Sequence, residues 1–194
     1  MKTAVLAEAR WATDGVGDDL PPIAGFVESA FSPLVAAVAD LCLASFYGAP
    51  PARPAEAERT AIVLTSATGD LPTAAAVAAA VQAGRRVPPL LFYQSNPNAV
   101  AGYVAARWGL SGPVVCTMPG RSVPGAATDA GSRALDEARA TAGLLIEDGD
   151  ADAALVVAAN VYLGGAACGV AELIGPPSWS ARPTPVQARG SHGS

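Results

Sequence analysis

A few residues in this sequence are of types that can do chemistry. Cys116, in VVCTM, is a candidate nucleophile, because a thiolate attacks electrophilic carbon readily. As an alternative to that role, a strand cysteine packs as a small apolar residue, and a strand interior offers no helix dipole to lower its pKa. Ser66, followed by Gly69-Asp70, suggests a nucleophile turn, but no GxSxG surrounds it and no base stands nearby in the chain. Asp148, Asp150 and Asp152 alternate like the start of a calcium loop, yet the spacing and the closing Glu of an EF-hand are missing. They are expected to form a solvated helix-to-strand turn. GLSGP and LGGAACG lack the GxGxxG pattern of a dinucleotide site. The only histidine is His192, near the C-terminus. Cys42, Cys116 and Cys168 are widely spaced and contain no CxxC pair, so neither a disulfide framework nor a zinc site is expected. No metal and no cofactor is expected.

The elements that would position these residues alternate between strand and helix. TAVLA (3–7) reads as a first strand. SPLVAAVADLCLASFYG carries Leu34, Val35, Val38, Leu41 and Cys42 at helical spacing, opened by Ser32 as cap and Pro33. AIVLTS (61–66) is a continuous apolar run, the pattern of a parallel strand buried on both faces. TAAAVAAAVQAG forms a helix closed by Gly84. Asn98 caps AVAGYVAARWG, and PVVCTM (113–118) makes a short strand. A long helix from about Asp129 to Asp148 leads into the buried strand ALVVAAN (154–160). This order predicts an α/β layered, mixed and mostly parallel sheet with flanking helices. The predicted organisation is one domain over 1–174 and a tail over 175–194 without fixed structure, in which Trp179 is exposed and free to anchor a partner.

Bulk composition narrows the function. The chain has 194 residues, enough for one core. It is 51% hydrophobic but only 6% aromatic, so small side chains must carry the packing. Its net charge of -5 opposes non-specific nucleic-acid binding, and Arg85-Arg86 is the densest basic spot. The N-terminus lacks a signal-peptide run, and no apolar stretch has the length of a membrane span. A cytoplasmic protein is expected, with no membrane and no nucleic-acid partner.

Four segments in order resemble one known family. Residues 88–113, PPLLFYQSNPNAVAGYVAARWGLSGP, are similar to the β-ketoacyl synthase segment in which an Asn/Pro step opens a helix ending in GLxGP. Residues 131–159, GSRALDEARATAGLLIEDGDADAALVVAA, resemble the helix and strand that follow the nucleophile in those enzymes. ERTAIVLTSATGD (58–70) resembles the earlier strand and Gly-Asp loop, and SPLVAAVADLCLAS the helix before it. The resemblance covers roughly Phe31 to Ala159. It implies the N-terminal half of a thiolase-type fold. It also implies a nucleophilic cysteine three residues before Gly131, where this chain has Thr128.

A Thr hydroxyl without a base is too weakly acidic to replace a thiolate. The histidines that assist in the family come from its C-terminal half. The family's chain-length-factor branch also lacks the cysteine. The resemblance therefore implies a non-catalytic partner or accessory subunit in polyketide or fatty-acid biosynthesis. The alternative is an acyltransferase or condensing enzyme that uses Cys116 or is completed in trans. Members pair across a dimer axis at the strand matching PVVCTM. The implied partners are a second copy or a ketosynthase, with an acyl carrier protein. Leu135, Leu144, Leu145 and Ile146 are spread around the long helix, which predicts an apolar outer face in need of cover.

Overall fold

The computed structural model describes residues 3–13, 20–28, 30–119, 127–162 and 166–179, with the side chains of 127–132 outside that description. The elements in chain order are β1 (Ala4–Thr13), α1 (Phe31–Tyr47), α2 (Pro54–Ala57), β2 (Thr60–Thr65), α3 (Leu71–Gln82) and α4 (Pro89–Gln94). Then come α5 (Pro97–Trp108), β3 (Val114–Thr117), α6 (Ala127–Glu147), β4 (Ala153–Val161) and β5 (Ala167–Gly175). The strands form one sheet in the order β1-β5-β4-β2-β3. β2 runs parallel to β3 and β4, whereas β5 is antiparallel to β4 and β1, so the sheet is mixed.

The two inner strands explain the layering. Every residue of β2 and β4 is buried. Because successive side chains point to opposite faces, Ile62, Leu64, Leu155 and Val157 meet α1 and α5. Ala61, Val63, Ala154 and Val156 meet α6 on the other face. That second face is built largely of Ala and Val, and α6 seats on it through Leu135, Ala138, Ala142 and Ile146.

The outer face of α6 differs from expectation. Leu144 is exposed, but its neighbours there are Arg133, Asp136, Glu137 and Glu147, which are also exposed. One exposed Leu in a polar surface needs no cover. The helix is amphipathic rather than apolar all round, and its burial does not demand a second layer.

Several caps fall elsewhere than their sequence signals. α1 begins at Phe31 and has no side-chain cap; Ser32 is buried inside its first turn. α5 is capped by Asn96, whose side chain accepts from the Asn98 N–H at 3.0 Å. Asn98, expected as the cap, lies inside the first turn. α5 does end at Gly109, in the left-handed region at φ 70°. The GLSGP motif has a packing reason: a Cβ on Gly112 would lie 2.5 Å from the Thr60 carbonyl. Only glycine lets the chain pass that close to β2 and enter β3.

Two strands depart from the sequence expectation. β1 continues to Thr13 because Glu8 and Arg10 project from its uncovered side and do not interrupt pairing. β5 was not expected at all. Its apolar alternation is broken by Gly169, packed against Leu34, and by Glu172, which is 1% exposed. Arg139 of α6 holds the Glu172 carboxylate in a fork at 2.5 and 2.8 Å and also binds Asp136 at 2.8 Å. Those charge-assisted bonds raise the Arg139 pKa and let a carboxylate sit inside the sheet.

Trp179 is not the exposed anchor expected of it. Its side chain is half-buried against the main core, close to Gly175, and its backbone N–H donates to the Pro176 carbonyl at 3.0 Å. The remainder of the predicted tail, including His192, lies outside the described residues. No described helix is long and apolar enough to cross a membrane.

Candidate functional site

The parallel strands β2, β3 and β4 end on the same side of the sheet, where Ser66, Thr117 and Asn160 meet. Ser66 follows β2 and is buried. Its N–H donates to the Thr117 carbonyl at 3.3 Å, its Oγ donates to Asn160 Oδ1 at 3.3 Å, and the Gly69 N–H donates to the same Oγ at 2.8 Å. The Ala67 N–H donates to Asn160 Oδ1 at 2.8 Å. These bonds close the turn after β2. Ser66 acts here as a brace, and no described histidine or carboxylate bonds its hydroxyl as a base would.

Asp70 is similarly engaged. Its Oδ1 accepts from the Thr73 N–H at 3.1 Å and its Oδ2 from the Thr73 hydroxyl at 2.7 Å, capping α3. The buried Gln94 extends this network. Its Nε2 donates to Thr73 Oγ1 at 3.3 Å, while its Oε1 accepts from the Val27 N–H at 3.1 Å.

Beside this polar brace lies a pocket of about 240 Å³, lined by Phe31, Leu64, Ser66, Pro97, Cys116 and Met118, together with Gly69 and Thr117. The lining is chiefly apolar. It suits a short hydrocarbon chain with a polar group at the Ser66 end. Cys116 is half-buried in this wall, and burial raises its thiol pKa, opposite to the change an attacking thiolate needs. Cys42 is more extreme: it lies under β1 with Sγ 3.6 Å from the Ala7 carbonyl, and burial pushes its thiol up to about 12. Cys168 is exposed on β5.

The other residues singled out in the sequence do not join this pocket. Thr128 lies in the first turn of α6, and its side chain is outside the described residues. Asp152 turns to Arg59 at 2.9 Å, and Asp148 and Asp150 are exposed in the turn before β4. Among the described residues, no group of three His, Cys, Asp or Glu converges on a point. Asn160, Gln94 and the pocket residues Phe31 and Met118 were not anticipated. Asn160 did leave a signal, as the one polar residue in the otherwise apolar run ALVVAAN.

No family model and no curated protein matches the sequence. Solved structures do match. The ishigamide ketosynthase/chain length factor aligns over 94% of this chain and 64% of its own, with a TM-score of 0.68 and 16% identity. The ketosynthase ApeO in complex with its chain length factor ApeC, from Xenorhabdus doucetiae, aligns over 90% of this chain and 79% of its own, with a TM-score of 0.62 and 14% identity.

The fold is that of ketosynthase and chain length factor proteins. The type II polyketide synthase complex AntDE:AntF, an acyl carrier protein with its ketosynthase bound to the hexaketide, gives a TM-score of 0.55 at 14% identity. Its alignment covers 88% of this chain and 62% of the other. The chain thus spans under two thirds of two of these three ketosynthase-fold structures. Identities this low speak for the fold and leave the chemistry to the site. Within the ketosynthase fold this chain has its pocket at the β3 edge, walled by a half-buried thiol.

Proposed function

We propose that the protein is a non-catalytic, ketosynthase-like accessory subunit of polyketide or fatty-acid biosynthesis, which pairs with a ketosynthase along β3. The observation that carries this proposal is the β3 edge itself. β3 is the last strand of the sheet, with Val114 and Met118 exposed and the apolar pocket directly behind it. An edge strand backed by a pocket can extend a partner's sheet while shaping the cavity in which a growing acyl chain lies. Loss of catalysis is supported by Thr128 at the position of the family's cysteine and by the raised thiol of Cys116. The solved neighbours include ketosynthases with chain length factors and one acyl carrier protein complex.

Light scattering tests the proposal. The purified protein is measured alone, then mixed with a ketosynthase and an acyl carrier protein encoded beside it. A mixed complex with the ketosynthase is expected; a protein that ignores it and stays monomeric would sink the accessory role.

A second function, acyl transfer on Cys116, is favoured by that residue lining the pocket. Alkylation near neutral pH separates the two. A packed Cys116 reacts more slowly than the exposed Cys168, whereas an activated thiolate reacts faster.

A further inference from the structure

The apolar pocket has walls of two kinds. One is the sheet: Leu64 of β2 beside Cys116 and Thr117 of β3, whose spacing the strand pairing fixes. The other is built from three separate stretches of chain, which contribute Phe31, Gly69 and Pro97. Phe31 opens α1, Gly69 precedes the cap of α3, and Pro97 opens α5. Strand pairing does not reach these three stretches, so something else must set their distance from the sheet.

Gln94 is where they meet. It is 3% exposed, the depth of a core residue. Its Oε1 accepts from the Val27 N–H at 3.1 Å, four residues before Phe31. Its Nε2 donates to Thr73 Oγ1 at 3.3 Å, and the Thr73 hydroxyl donates on to Asp70, the neighbour of Gly69. Gln94 itself ends α4, three residues before Pro97. One buried amide therefore ties together the stretches that carry the outer wall.

Only one orientation of that amide is chemically allowed. The Thr73 hydroxyl has a single proton, which goes to Asp70 Oδ2 at 2.7 Å, so toward Gln94 it can only accept. The Val27 N–H can only donate. The amide nitrogen must face Thr73 and the amide oxygen Val27, which is the arrangement found. An apolar side chain would fill the same space without the cost of burying an amide. What the amide adds is a directed link between two elements. We propose that Gln94 is the positioning residue of the pocket. It sets how closely the wall of Phe31, Gly69 and Pro97 stands to the sheet, and so how firmly the pocket holds an apolar chain. This rests on the pocket being the ligand site of the accessory role above.

Cys116 stands in the sheet wall and reports on access to the pocket. On the whole protein carrying Cys168→Ser, with Cys42 buried, N-ethylmaleimide reads Cys116 alone, with and without 1-octanol as the apolar probe. Octanol should slow alkylation of the parent. Gln94→Met keeps the size of the side chain but strands the Val27 N–H. It should raise the octanol-free rate by about ten-fold and remove most of the protection. Thr73→Val should do the same, whereas Thr73→Ser, which keeps the hydroxyl, should behave as the parent. Circular dichroism checks that each variant folds, and the Thr73 pair carries the test if Gln94→Met does not. A merely structural Gln94 would lower stability in denaturant yet leave rate and protection as in the parent. That result, or equal behaviour of Thr73→Ser and Thr73→Val, would overturn the proposal. If octanol fails to protect even the parent while the rates change as expected, the apolar-chain reading of the pocket falls and positioning by Gln94 stands.

Discussion

β1 and β3 are the two edges of one sheet, and they meet solvent in opposite ways. β1 is ten residues long, carries a register shift between Val5 and Ala7, and projects Glu8 and Arg10, which bond each other at 2.6 Å. Charges and irregular register are the usual means of stopping a free strand from recruiting another. β3 is only four residues long and uncharged, with Val114 and Met118 exposed and no acidic residue in the elements around it. Each edge also has a thiol. Cys42 behind β1 is sealed in the core, whereas Cys116 on β3 opens onto a pocket. One edge is finished as a surface, and the other has the features of an interface.

The largest effect is expected from breaking the finished side. Glu172 pairs in register with Glu8 of β1, so Arg139 is what makes that meeting of carboxylates tolerable. Arg139→Ala should cost about 3–5 kcal/mol by leaving a buried carboxylate uncompensated. Denaturant unfolding reads the loss, and Arg139→Met with Glu172→Leu should recover most of it. A single variant as stable as the parent would show that the charge pair between α6 and β5 adds nothing to stability.

The next effect separates the two thiols by pH. The Cys42 pKa is raised from 9.0 to about 12 in the folded chain, so the folded protein keeps a proton that the unfolded chain releases. Stability from this group is complete below about pH 9 and falls as pH rises toward 12, at about 1.4 kcal/mol per pH unit. Unfolding measured across that window should show a shallower decline for Cys42→Ala than for the parent. Parallel declines would mean that the thiol is not sealed as described.

The smallest effect on stability is expected at β3. Val114→Lys and Met118→Lys remove no buried contact of weight and should change stability by about 0.5 kcal/mol or less. Their effect should appear only in association, as loss of the mixed complex in light scattering. If they destabilise the isolated chain instead, β3 is part of the core and not a docking edge.

Much of the fold was legible in the sequence because burial leaves a pattern. AIVLTS and ALVVAAN read as inner strands since both faces of each are covered. GLSGP read as a family motif, and the close approach of Gly112 to Thr60 gives its physical cause. β5 was illegible because a buried Glu looks like a surface residue until its arginine, 33 positions earlier, is brought alongside. Trp179 was misread as exposed because nothing in a Pro-rich segment shows that it folds back onto the main core. The caps moved by two residues because Ser, Asn and Pro stand close together and local preference does not choose among them.

The sequence by itself determined the inner strands, the amphipathic helices and the absence of acid between Asp70 and Asp129, since these depend on residue type and near neighbours. Only the tertiary structure decided the rest. It made Ser66 a brace, gathered Phe31, Leu64, Pro97, Cys116 and Met118 around one pocket, and set β3 at an edge. Those outcomes follow from which strand lies beside which, and that is fixed by packing between residues far apart in the chain.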